Sequence, residues 1–164
     1  MKGFPQLGKE DVQQLDTLLK DFIKRSGALA ALMVESAGYV IHHVGETPAV
    51  PAEFASLAAN AFNAAQAMSR RLKENYFTQL RVTGTTYQTL IRQVDDSCLL
   101  VVVFRADADG NKVEDAVLPP VIGIYELLEI ARHRAPGATV DFADADADNV
   151  TKFFHRAPPP PPVP

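Results

Sequence analysis

The stretch "ALMVESAGYVIHHVG", Ala31 to Gly45, decides how the chain folds. Two apolar segments, Leu29 to Glu35 and Tyr39 to Val44, flank Ser36-Ala37-Gly38. Short β-rich runs on either side of a glycine read as a hairpin, with the tight turn at Ala37-Gly38. A turn that short forces the two strands to run antiparallel. On both sides the apolar period changes from two to between three and four. Upstream, Val12, Leu15, Leu18, Leu19, Phe22 and Ile23 form one helical stripe between Lys9 and Lys24, and Gly27 sits where a helix would end. Downstream, after the loop "ETPAVP", an alanine-rich helix runs from about Ala52 to Lys73, with Pro51 suited to its first turn.

Three further strands follow the second helix. "YFTQLRVTG" and "TYQTLIRQV" meet near Gly84-Thr85, and Asp95-Asp96 turns the chain into "SCLLVVVF". That last segment is apolar throughout, so it belongs at the centre of a sheet with both faces covered. "YFTQLRV" has a single sequence neighbour and is expected at an edge. A third helix is predicted to His133 from roughly Val117 or from an earlier start, which Pro119-Pro120 leaves open. The result is an α+β layered domain, α-β-β-α-β-β-β-α, with a five-stranded antiparallel sheet. It occupies residues 1–135. Residues 136–164 form an acidic linker, a short amphipathic segment with Val150, Phe153 and Phe154 at helical spacing, and a polyproline tail.

The second helix is unusual in composition. Between Ala52 and Met68 it carries a single charge, Glu53. At 100° per residue, Phe54, Leu57, Ala58, Ala61, Ala65, Met68 and Leu72 make the most apolar stripe, which is expected to face the sheet. A second flank holds Ala55, Ala59, Phe62, Gln66 and Ser69. A third, polar, holds Ser56, Asn60, Asn63, Ala67, Arg70 and Arg71. A helix this poor in charge on its flanks is expected to be covered on more than one side. The simplest second cover is the same helix from another copy, because two-fold homodimers are the commonest assembly. An open sheet edge invites the same pairing.

Other features narrow the function by exclusion. The 164 residues are 47% hydrophobic, enough for a real core, and the net charge of −4 disfavours nucleic acid as a partner. The one cysteine, Cys98, opens an apolar run and reads as a buried small hydrophobe. No signal peptide or membrane span is legible, so a cytoplasmic location is expected. "DADADADN" begins like a calcium loop at Asp144, yet Asn149 replaces the required glycine and His155 the required glutamate. His42 and His43 are adjacent in a strand and point to opposite faces, so they do not share a metal. No nucleophile elbow, phosphate loop or zinc motif occurs. The chain is expected to use no cofactor and no metal, and not to act alone as an enzyme.

These segments, in this order and spacing, resemble the Roadblock family, the dynein light-chain type of small α+β domain. The resemblance runs from about Leu15 to Arg134 and is carried by "ALMVESAGYVIHHVG", "SLAANAFNAAQAM" and "LLVVVF" after a polar turn. Within the family, the second helix and the acidic-aromatic tail are most similar to a bacterial gliding-motility regulator. The resemblance implies a homodimer joined through the second helix and an edge strand. It also implies a small Ras-like GTPase of the MglA type as partner, activated in bacterial cell polarity or motility. Carried onto this chain, it implies Ser56, Asn60, Asn63, Ala67 and Arg70 as the GTPase-facing set and Ala55, Ala59, Phe62 and Gln66 as the dimer contact. Val150, Phe153 and Phe154 are then the tail's docking residues. A scaffold that binds the GTPase or another protein without activating it is the alternative. The polyproline ending suits a proline-binding partner.

Overall fold

Tight turns pair neighbouring segments into a hairpin and a three-stranded meander, and the two groups join into one sheet along the strands that begin at Ala30 and Cys98. The computed structural model describes residues 3–134. Its elements are α1 (Lys9–Ser26), β1 (Ala30–Glu35), β2 (Val40–Gly45), α2 (Pro51–Arg71), β3 (Gln79–Thr83), β4 (Tyr87–Asp95), β5 (Cys98–Arg105) and α3 (Gly110–His133). The strand order is β2-β1-β5-β4-β3, and every pairing is antiparallel. The apolar run in β5 lies at the centre, and β3 is an edge, as expected. Gly38 takes φ 98° in the β1–β2 turn, and Gly27 takes φ 73° to end α1. Both conformations are strained for residues with a Cβ.

Period-two alternation sorts the core into two layers. Cys98, Leu100, Val102 and Phe104 of β5 face one way, with Ala31 and Met33 of β1 and Leu90 of β4. They meet Leu15, Leu19 and Phe22 of α1 and Val113, Val117, Ile124 and Leu128 of α3. The alternate residues, Leu99, Val101, Ile91, Ala30, Leu32 and Val34, face α2. His42 and His43 point to opposite faces accordingly: His42 Nε2 lies 2.9 Å from Asp16 of α1, while His43 lines a cleft with Ala49 and Pro51.

Of the starts open to the third helix the earlier is observed. α3 begins at Gly110, ahead of Val117, and holds Pro119 and Pro120 inside it. Asp109 supplies the start, its carboxylate accepting the Asn111 amide at 3.0 Å. The two prolines remove the donors that would reach the carbonyls of Asp115 and Ala116. Burial of Val113, Val117, Pro120 and Ile124 on either side of that gap holds the helix together. The acidic linker, amphipathic segment and polyproline stretch lie outside the described residues.

Candidate functional site

The alanines of α2 exist to bring the helix down onto the sheet. Ala55, Ala58, Ala59, Phe62 and Ser69 are its buried residues. Phe62 is the one large side chain among them and stacks on Phe77 with ring centroids 5.1 Å apart. This corrects the expected assignment of faces. Ala55, Ala59 and Phe62, expected at a dimer contact, are at most 2% exposed and pack against β1, β4 and β5. Gln66 is half-buried beside them. Of the four, Gln66 alone has surface to offer a second copy while α2 stays on the sheet. The reason is geometric: small side chains let a helix approach a sheet as readily as another helix.

The stripe expected to face the sheet is largely the one turned outward. Leu57, Met68 and Leu72 are 67%, 70% and 82% exposed. With Ala61 and Ala64, also exposed, they form a row along the outer side of α2. Of the expected sheet-facing set, Ala58 is buried and Phe54 and Ala65 are half-buried. Exposed apolar side chains scattered singly are ordinary, but a continuous row on one helix marks a contact surface. Val82 on edge strand β3 and Tyr76 just before it are also exposed, at 52% and 86%. Outer row and open edge therefore belong to the same layer of the molecule.

The polar flank emerges as the sequence places it. Ser56, Asn60, Asn63, Ala67 and Arg70 are all exposed. The helix turn that separates them from the outer row is about 120°. Two contacts fix what lies beside them. Asn63 Nδ2 donates to the Ser36 carbonyl at 3.4 Å, and a Cβ on Gly38 would meet Ser56 Cα at 3.1 Å. The β1–β2 turn is thus part of this flank, and it presents Tyr39, 69% exposed. Sequence reasoning missed Tyr39, because a tyrosine at the head of an amphipathic strand gives no sign of its exposure. Arg70 donates to Gln66 Oε1 at 2.9 Å and lies along the helix.

Charge chemistry on the opposite side of the sheet locks the frame. Arg134 makes a bidentate pair with Asp11, at 2.7 and 2.9 Å, while the Gly8 amide donates to the same carboxylate at 2.7 Å. The Arg134 hydrogen bond outweighs burial and holds the Asp11 carboxyl below its ordinary range. Burial pushes Asp95 upward, yet hydrogen bonds from Arg132 and Ser97 leave it lowered overall. Burial also raises the Cys98 thiol far above its usual range. Among the described residues, no group of three or more His, Cys, Asp or Glu side chains is placed to hold a metal. None of their helices is long and apolar enough to cross a membrane.

The sequence profile of the Roadblock/LC7 domain matches residues 14–104. No curated protein matches the chain. Among solved structures, an MglB with tetrameric arrangement is similar at TM-score 0.73 and 22% identity, covering 80% of this chain and 99% of that one. The gliding protein MglB of Thermus thermophilus is similar at TM-score 0.71 and 22% identity, covering 79% and 99%. Myxococcus xanthus MglB gives TM-score 0.67 and 19% identity, covering 71% and 96%. At these identities the likeness is one of fold, and the profile match spans more than half of the sequence. On those grounds, and on its α-β-β-α-β-β-β-α order around a five-stranded antiparallel sheet, the chain belongs to the Roadblock/LC7 domain family.

Proposed function

We propose that the chain is a homodimeric regulator of a small Ras-like GTPase of the MglA type, acting as a GTPase-activating protein in bacterial cell polarity or motility. The observation that carries this reading is the partition of α2 into three faces. One is committed to the sheet, and an apolar row and a polar flank are left uncovered. The apolar row, Leu57, Ala61, Ala64 and Met68, is the dimer contact, extended by pairing at the β3 edge. The polar flank then stays open on the paired helices. Ser56, Asn60, Asn63, Ala67 and Arg70 face the GTPase, with Tyr39 as an aromatic anchor. Val150, Phe153 and Phe154 of the tail make a further contact on the GTPase. The fold likeness to MglB proteins supports the choice of partner.

In this reading the chain contributes no covalent chemistry. It binds the GTPase more tightly in the transition state than in the ground state, and a tenfold acceleration requires only about 1.4 kcal/mol of that difference. The test is phosphate release from the GTP-loaded partner GTPase with rising concentrations of the chain. Acceleration that saturates, and that Tyr39→Ala and Asn60→Ala weaken together, supports the activator. Binding that is equal in both nucleotide states, with no acceleration at saturation, removes it and leaves a non-activating scaffold.

A further inference from the structure

α1 and α3 run antiparallel on the face of the sheet away from α2. Asp11 and Arg134 join them at one end, and a Cβ added to Gly123 would come within 3.0 Å of Leu18 midway. Beyond Leu18 the two helices enclose an apolar groove of about 290 Å³, lined by Leu18 and Phe22 of α1 and Ala116, Pro119 and Pro120 of α3. Asp21 and Arg25 stand on its rim and pair with each other at 2.8 Å, so no unbalanced charge guards the opening.

We propose that this groove is the docking site of the chain's own C-terminal segment, with Val150, Phe153 and Phe154 seated between Phe22 and the Pro119-Pro120 pair. Three observations favour this occupant. The bidentate Asp11–Arg134 pair fixes the point where the tail leaves, and that point is on the α1–α3 face. From Arg134 back to Pro119-Pro120 is about 22 Å along α3, at 1.5 Å per residue. Fifteen residues, 135–149, precede Val150, and at about 3.3 Å per residue they can reach about 50 Å, more than twice that distance. A segment tied so near the groove meets it within one molecule, so weak apolar contacts suffice. The outer row of α2 lies across the sheet and is reached only around an edge. The proposed GTPase contact draws on the same three residues, so groove and GTPase compete for the tail, and a test on the chain without GTPase reads the groove alone.

The test is paramagnetic broadening in the full chain. Ala157→Cys takes a nitroxide, while Cys98, fully buried, does not. The expected result is a loss of about half or more of the amide signal at Leu18, Phe22 and Ala116, as docking within one molecule requires. It is abolished when Phe153→Ser and Phe154→Ser are added. Both changes lie outside the domain, so a folding defect cannot imitate the result. Signals unchanged in the groove, or lost instead along Leu57 and Met68, would overturn the proposal. So would equal broadening when nitroxide and isotope are carried on different copies, since the tail would then be reaching a neighbour.

Discussion

The two faces of the sheet are built by opposite means. On the α1–α3 side, large side chains interlock: Leu15, Leu19, Phe22, Phe104, Ile124 and Leu128 fill the layer. Two ion-pair clusters, Asp11 with Arg134 and Asp95 with Arg132, tie its helices together and to the β4–β5 turn. On the α2 side a single helix rests on the sheet through three alanines, Phe62 and Ser69, with Phe54 half-buried beside them, and its largest aliphatic side chains point outward. The difference teaches where stability and recognition reside. One face is closed by large interlocking side chains and shows Leu118, Ile122 and Tyr125 of α3 outward; the other rests on alanines and is left with an apolar row, a polar flank and an unpaired strand.

The comparison breaks most visibly at Phe62. Phe62→Ala is expected to cost about 3–5 kcal/mol in denaturant unfolding. Hydrogen exchange should show α2 losing protection before α1 and α3, because Phe62 is its one fully buried large side chain and only half-buried Phe54 remains beside it. If all three helices lose protection together, the two layers are not energetically distinct. Next in size is Leu57→Asp, which removes an anchor from the outer row. It should weaken self-association by about 2–3 kcal/mol, roughly thirtyfold or more by sedimentation. The stability of the single chain should stay within about 0.5 kcal/mol.

On the finished face the effects are smaller. Asp95→Ala removes the acceptor for Ser97 and the partner of Arg132, whose side chain is 13% exposed. The expected loss is about 1–2 kcal/mol by thermal or chemical denaturation, between the surface and the fully buried ranges. The smallest effect is one of sign. The Asp11 carboxyl is lowered in the folded chain, from an ordinary value of 3.8. Its contribution is therefore complete above that value and is lost as pH falls through the folded value. In acid titrations followed by circular dichroism, Asp11→Asn should flatten the dependence below pH 3.8 relative to the parent chain.

Much of the fold was legible because its signals are local. Gly27 and Gly38 mark a helix end and a turn, and the apolar run from Cys98 to Phe104 marks the central strand. The start of α3 was obscured because Pro119-Pro120 reads as a break, while the true signal, Asp109 capping Asn111, lies ten residues earlier. The site was legible only in part. The polar flank emerges on the surface because Ser56, Asn60 and Asn63 have no apolar competitor for that arc. The other two arcs were exchanged. Size ranks Leu57, Met68 and Leu72 as core residues, whereas the sheet selects Ala55, Ala58 and Ala59, which permit close approach. In a helix made so largely of alanine, the hydrophobic contrast that orients an amphipathic helix is too weak to choose between them.

The account rests on the outer row of α2 being covered by a second copy. Sedimentation equilibrium of the unmodified chain at micromolar concentration tests this most directly. A mass twice that of the 17.8 kDa chain, shifting toward the single chain in Leu57→Asp, is the predicted result. A folded particle of 17.8 kDa across the whole concentration range would contradict it.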